Sequence, residues 1–423
     1  MLSINEEVCT KGYNFLPGSL RLKKAMRMHI GINAQLLSYG QNYRNGGVSR
    51  YIRYLLTALA KQPGDHTYTV FVNGQDSIDR LAPHPRITYF AAPWPERQPV
   101  ARVAWEQLAL PSLLRQRHID VLHSPVNVHP ELLPRSCASV ITLHDLAFLR
   151  FPKVLPRVKR MYHQTFTLRS LLHATMLITV SNSTKQDAHE LVGIPNERIQ
   201  TIYPCIDERL SCIRDEAQIR SFRQQQRLTE GFLLYLGTLE PRKNITTLID
   251  AYALARQYSM LQEKLVLAGG KGWLYDAIFE KVRQLGLEKE VLFPGYVKDE
   301  EQVLWYQAAT AFVYPSLYEG FGMPVAEALA CGTPVVTTNV SSLPEAGMGQ
   351  ALCVTPDDTQ ALAEALYRAS TDQALREMCL AQAPAVAQKF SAETMAAQTI
   401  LAYEQAAKLH AKSRSQQRLS SVE

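Results

Sequence analysis

Hydrophobic positions along the chain alternate between two spacings. A short apolar run at Met28–Asn33 is followed by Val48–Ala60, where apolar residues recur with a helical period, and then by a second run at Tyr68–Val72. Runs of this kind predict buried strands, and the 3.6-residue recurrence predicts amphipathic helices. The pattern continues with a helix over Val103–Gln116 and strands at Ile119–His123, Ser139–Leu143 and Leu177–Val180. After residue 207 it restarts. Strands are expected at Phe232–Gly237, Lys264–Ala268, Val291–Phe293, Ala311–Tyr314 and Pro334–Thr337. Helices at Ile245–Gln257, Tyr275–Leu285, Gln302–Ala308 and Pro324–Ala330 separate them. Such alternation implies βαβ crossovers and parallel sheets. The expected fold is α/β, with two doubly wound domains, 28–207 and 208–388, facing each other across a cleft. Residues 1–27 and 411–423 lack periodicity and are expected to be flexible extensions.

Composition narrows the class. A chain of 423 residues with 46% hydrophobic and 20% charged positions is that of a soluble globular protein with room for two domains. No apolar run reaches the ~18–20 residues of a membrane-spanning helix, and Glu6 and Glu7 argue against a secretory leader. The 7 cysteines include no C-x-x-C spacing, which predicts neither a disulfide framework nor a zinc site and fits the cytoplasm. Charge divides the chain: residues 1–205 carry 24 Lys and Arg against 13 Asp and Glu, whereas 206–423 carry 21 against 26. The basic excess peaks at Arg150, Lys153, Arg157, Lys159, Arg160 and Arg169, interleaved with Phe151, Met161, Tyr162 and Phe166. This 150–170 segment reads either as a solvated helix face or as a peripheral contact with anionic membrane or acceptor. No nucleic-acid motif accompanies it.

In doubly wound sheets ligands bind beyond the carboxyl ends of the strands. Four stretches fall there: Gly46-Gly47-Val48, His144-Asp145, Glu240-Pro241-Arg242-Lys243-Asn244, and Tyr318 to Pro324. In the last, glycines precede a helix start, so backbone can approach a ligand and unpaired N–H groups face negative charge. Glu319 lies in that loop and Glu327 in the helix. Two carboxylates beside a phosphate site suit a nucleotide sugar, since carboxylates accept hydrogen bonds from vicinal hydroxyls. A tight turn followed by an ordinary helix is the alternative.

Glu319 to Glu327, written EGFGMPVAE and continued by ALACGTPVV, resembles the E-x7-E signature of the retaining glycosyltransferases of family 4. Other stretches fall in that family's order: GGVSRYIRYL, HSP at 123–125, HDLAF at 144–148, VSNSTKQD at 180–187, YPCID, LGTLEPRKN at 236–244 and FPGYV at 293–297. KFSAETMAAQTILAYEQA resembles a C-terminal helix, here 389–410, that crosses back to the first domain. The resemblance implies two Rossmann-like domains in the arrangement called GT-B. It also implies residue roles. Glu319 would hold the donor sugar and Glu327 the ribose. The amides of Phe321, Gly322, Met323 and Val325 would face sugar and diphosphate, Pro324 having none. Lys243 would neutralise the leaving diphosphate, Gly47 would add an N–H from across the cleft, and Gly295, Tyr296 and Val297 would meet the base. His144 would reach the donor sugar, with Asp145 acting there or orienting the loop. His123 is structural or acceptor-side.

The chain departs from the family at Thr238, where a phosphate-binding Arg is usual. Arg242 supplies a replacement charge, either at the phosphate or on the surface. E-P-R-K-N, WEQ and HSP resemble the mannosyltransferase branch. The implied reaction is retaining transfer of a hexose, mannose from GDP-mannose, to a hydroxyl of a glycan or glycolipid in cell-surface polysaccharide synthesis. No metal or cofactor is expected, because no D-x-D motif occurs in the relevant loops. A UDP-sugar donor and a sugar-nucleotide epimerase are the alternatives. A dehydrogenase would need G-x-G-x-x-G after the first strand, which GGVSRY does not supply.

Overall fold

A computed structural model describes residues 27–39, 47–93, 99–151, 163–211, 214–228, 231–258 and 261–420. The extension before Arg27 and most of the basic 150–170 segment lie outside the described residues. The first sheet contains β1 (His29–Ala34), β2 (Thr67–Asn73), β3 (Ile87–Ala92), β4 (Val121–Ser124), β5 (Ala138–Leu143), β6 (Met176–Thr179) and β7 (Ile199–Thr201). The second contains β8 (Phe232–Leu236), β9 (Lys264–Ala268), β10 (Val291–Gly295), β11 (Ala311–Tyr314), β12 (Val335–Thr338) and β13 (Leu352–Val354). Their orders are β3-β2-β1-β4-β5-β6-β7 and β10-β9-β8-β11-β12-β13, and the pairings are parallel. These are the two Rossmann-like units expected, one winding pattern used twice.

The central strands are buried on both faces, so they read as continuous apolar runs such as Phe232-Leu-Leu-Tyr-Leu. In each sheet the winding reverses between its first and fourth strands. Loops leaving β1 and β4, and β8 and β11, diverge there and open a crevice.

Three features differ from the sequence reading. The helix expected over Val103–Gln116 is two helices, Pro99–Leu108 and Leu110–Gln116. Pro111 has no N–H, and its ring would clash with the carbonyl four residues back, so the chain restarts with Pro111 in a first turn. Strands β3, β7 and β13 are additional; each is an edge or near-edge strand with partly exposed positions. The C-terminal helix begins at Ala392 rather than at 389 and runs to Ser420, so most of the 411–423 stretch expected as a flexible tail is helical.

That helix packs on the first domain: Met395, Ala396, Ala402, Tyr403 and Ala406 share a core with Met28, Ile30, Ile52 and Leu55. The Tyr403 hydroxyl lies 2.7 Å from His123 Nδ1, and His123 Nε2 lies 2.8 Å from Thr142 Oγ1. Both ring nitrogens are therefore engaged, and burial, with His144 nearby, pushes the His123 pKa down to about 3. His123 is structural. Tyr203, Phe321 and Phe390 cluster where the two domains join. The described cysteines are free thiols, and burial raises Cys205 to about 12. Among the described residues no helix is long and apolar enough to cross a membrane.

Candidate active site

The loop after β8 turns at Gly237 and Thr238 and then forms a short 3-10 turn, Pro241–Lys243, closed by Asn244 in the left-handed region. This drives the Lys243 side chain inward. The loop after β11 leads to the Met323–Ala330 helix, whose N-cap Gly322 has φ 95°, and a Cβ there would lie 2.8 Å from Leu343. Only glycine suits that position.

The two loops meet at Glu319. Its Oε1 accepts from Lys243 Nζ at 2.5 Å and from Ser316 Oγ at 2.6 Å, and its Oε2 accepts from Arg242 Nη1 at 3.2 Å. Burial alone would raise the Glu319 pKa, but Arg242 and Lys243 outweigh it and hold the carboxyl at about 2. Lys243 also donates to the Tyr314 hydroxyl at 2.6 Å and stands 4.9 Å above that ring's centre. Burial, then the charge of Arg242, lowers the lysine's pKa against the pull of Glu319. Arg242 is neither on the surface nor free. It donates to the Tyr318 carbonyl at 2.6 Å and to Glu240 at 2.9 Å, bracing the loop that carries Glu319.

Across the cleft stand His144 and Asp145, after β5. A Cβ on Gly320 would lie 1.8 Å from the His144 carbonyl oxygen, so the two domains touch here through bare backbone. The His144 Nε2 lies 3.0 Å from the Pro125 carbonyl, and its ring packs edge-on to Tyr51 at 5.0 Å. Burial lowers its pKa. The Asp145 carboxylate accepts the Ala147 N–H at 3.0 Å, which shapes its own loop. Tyr318, beside Glu319, donates to Asp187 at 2.7 Å, and Asp187 also accepts from Arg150. Thr184 donates to the Gly320 carbonyl at 3.1 Å.

Glu327 lies one turn into its helix and is 1% exposed. Its Oε1 accepts from Arg50 Nη2 at 2.5 Å and its Oε2 from the Tyr306 hydroxyl at 2.8 Å. Gly47 opens the helix that carries Arg50, and a Cβ on it would meet nothing within 4 Å. Thr238 lends its carbonyl to the Tyr235 hydroxyl at 2.9 Å. Gly295 ends β10 with φ 82°, Tyr296 is 45% exposed, and Val297 is buried. Among the described residues the amides of Phe321, Gly322 and Met323 have no acceptor. Val325 differs from the expectation: its N–H donates to the Gly322 carbonyl at 2.9 Å, closing the turn that starts the helix.

The structure thus joins Glu319, Lys243 and Arg242 in one cluster, sets His144 and Asp145 against Gly320, and places Glu327 apart, bound to Arg50. The sequence reading gave no role to Arg50, Tyr306, Tyr314, Ser316, Tyr318 or Asp187, although Arg50, Tyr318 and Asp187 fall within stretches it named. The three tyrosines look like core aromatics, and Arg50 looks like a solvated position on an amphipathic helix.

Comparison with known proteins agrees with this architecture. Residues 45–210 match the family model described as Glycosyltransferase Family 4, and residues 218–386 match Glycosyl transferases group 1. The O-antigen chain mannosyltransferase B of Escherichia coli is 35% identical over 296 residues, 69% of this chain and 75% of that one. The serotype-specific mannosyltransferase WbdA of Escherichia coli is 27% identical over 86% of this chain, which spans 46% of its length. Among solved structures, sucrose-phosphate synthase from Thermosynechococcus elongatus superposes with TM-score 0.70 at 23% identity, covering 90% of this chain and 99% of that one. Alr3699/HepE of Anabaena, in complex with UDP and glucose, gives 0.65 at 19% identity over 88% and 98%. Two parallel-sheet, Rossmann-like domains are the architecture of a GT-B glycosyltransferase. The chain belongs to glycosyltransferase family 4, on the mannosyltransferase-like side of it.

Proposed function

We propose that the protein transfers mannose from GDP-mannose, with retention of anomeric configuration and without a metal, to a hydroxyl of a glycan or glycolipid in polysaccharide synthesis. The observation that carries the reading is the Glu319–Lys243–Arg242 cluster beside three unpaired amides at a helix N-terminus. Glu319 stays anionic and accepts the sugar's hydroxyls. Lys243 and the amides of Phe321, Gly322 and Met323 oppose the charge that grows on the leaving diphosphate. Glu327 takes the ribose, and the backbone at Gly295–Val297 takes the base. His144 stays neutral and meets the sugar from the other domain, over a loop shaped by Asp145.

Glu319 is a poor nucleophile while two cations hold it, which favours same-face attack with the leaving phosphate oxygen accepting the acceptor's proton. The protein's task is then to hold both substrates and stabilise charge. The names of the two relatives above favour mannose over other hexoses. Arg150 and Arg169 are paired with Asp187 and Glu131, so membrane contact through 150–170 would rest on the remaining basic residues.

The test incubates the protein with radiolabelled GDP-mannose, GDP-fucose, UDP-glucose and UDP-galactose, with and without EDTA, and follows hydrolysis and transfer to a lipid-linked glycan extract. GDP-mannose turnover that survives EDTA is expected. Turnover of a UDP-sugar alone would overturn the donor, epimerised sugar without an acceptor would overturn the reaction, and a strict metal requirement would overturn the account of the leaving group.

A further inference from the structure

One face of the helix Gly47–Lys61 meets the second domain. Arg50, Arg53 and Tyr54, at helical spacing, reach Glu327, Asp299 and Asp207 at 2.5, 2.8 and 3.1 Å. Arg50 differs from its neighbours. Its side chain is 14% exposed and its partner's 1%, and the pair is made by one guanidinium nitrogen only. The Arg50 Nε is buried and has no acceptor among the described residues. A buried N–H without an acceptor carries a desolvation penalty, and the Nε–Nη2 edge of a guanidinium is the edge that grips an oxyanion with two parallel bonds. Half of that edge is in use.

The other side of the pair is equally informative. Each Glu327 oxygen accepts one bond, from Arg50 and from Tyr306, and the residue is 1% exposed, so a ribose diol reaches the carboxylate only when one of the groups covering it moves. Tyr306 is fixed in the second domain's core, whereas Arg50 arrives from the opposite domain. Met323, the last of the three unpaired amides, is four residues before Glu327, a rise of about 6 Å along the helix. A diphosphate at those amides therefore lies within reach of the guanidinium that a ribose would release. The other cations at hand, Lys243 and Arg242, are bound to Glu319.

We propose that Arg50 is an exchangeable donor-site cation, paired with Glu327 in the free protein and handed to the diphosphate when the ribose takes that carboxylate. This rests on the reading of the cleft as a nucleotide-sugar site and adds a residue to it. The exchange couples the two halves of the nucleotide: the ribose must break the ion pair, and the phosphate re-forms one with the same guanidinium. Binding of a nucleoside without phosphates should then work against Arg50, whereas binding of a nucleoside diphosphate should depend on it.

The test is calorimetry of guanosine, GDP and pyrophosphate, or the uridine series if that is the pair bound, on wild type, Arg50→Met, Arg50→Lys and Glu327→Gln. Arg50→Met should bind GDP at least tenfold more weakly and guanosine equally well or severalfold more tightly. Arg50→Lys, which keeps a point charge but loses the fork, should fall between. Glu327→Gln, which keeps an acceptor for Tyr306 and releases Arg50, should bind pyrophosphate severalfold more tightly. Parallel losses of guanosine and GDP in Arg50→Met, or no change in either, would overturn the exchange while leaving the donor site in place. Wild type that bound no nucleoside diphosphate would overturn both.

Discussion

Replacing Lys243 with Met separates charge from shape at the centre of the cleft. The ammonium lies 2.5 Å from Glu319 and 2.6 Å from the Tyr314 hydroxyl, and the two charged side chains are 9% and 11% exposed. Removing one partner of a buried pair costs about 3–5 kcal/mol, because the other charge is left in low dielectric. Here Arg242 and Ser316 still hold Glu319, so the lower end applies, about 3 kcal/mol. That lowers the melting temperature of a domain this size by roughly 6–12 °C. Turnover should fall further, about a hundred- to thousandfold, or ~3–4 kcal/mol of barrier, as for loss of one preorganised donor to a developing oxyanion. Affinity for the nucleoside diphosphate should fall less than turnover if the lost interaction strengthens as the bond breaks.

The partner variant decides between structure and chemistry. Lys243→Met combined with Glu319→Gln removes the stranded charge, so stability should return to within about 1 kcal/mol of wild type while turnover stays low. The pH profile gives a second readout. Glu319 sits at about 2 instead of the ordinary 4.5, so its pairing stabilises the fold fully above 4.5 and is lost as pH falls from there toward 2. This limb should shrink in the single variant, measured by urea titration at stepped pH, with initial rates and calorimetry alongside. Lys243→Met with wild-type turnover, or a double variant that recovered turnover together with stability, would refute the reasoning.

Glu327→Gln should weaken donor affinity more than it lowers kcat, because a ribose contact is similar in ground and transition states; a fall in kcat at unchanged affinity would contradict this. His144→Ala should lower turnover at unchanged nucleoside diphosphate affinity, since His144 stands on the opposite domain; loss of nucleotide binding in calorimetry would place it differently. Stability should decline as pH drops below about 6.5, where unfolded His123 gains a proton that the folded chain refuses until about 3. His123→Gln should flatten that decline between pH 6.5 and 5 in denaturant titrations, and an unchanged slope would mean other groups set it.

The central strands were legible because they are buried on both faces: Phe232–Leu236 and Ala311–Tyr314 carry no polar residue to confuse the pattern. The edge strands β3, β7 and β13 were not, since one side faces solvent and their apolar runs are short or broken. Pro111 was visible in the sequence, yet the apolar period continues across it, and only backbone sterics reveal two helices. Glycine and proline at Gly322 and Pro324 marked a loop entering a helix, which is a local signal. What joins Arg242 and Lys243 to Glu319, or Arg50 to Glu327, is long-range geometry. No periodicity marks an arginine as facing another domain when its helix is amphipathic on both accounts. Tyr306, Tyr314 and Tyr318 illustrate the same point, because burial hides a hydroxyl's task behind the ring's.

The crossing helix also bears on how the protein is made. Met395, Ala396, Ala402 and Tyr403 complete a core whose other walls are β1 and the Gly47–Lys61 helix, and these leave the ribosome long before it. Until the entire second domain has been translated, that core lacks the wall that Met395, Ala396, Ala402 and Tyr403 supply, and His123 Nδ1 lacks its Tyr403 partner. The first domain is thus the first to emerge and the last to be finished, and the nascent chain carries an adhesive apolar face through most of its synthesis. A stop codon ahead of Ala392 would strand it in that state, making premature termination a hazard to neighbouring chains rather than a simple loss of enzyme.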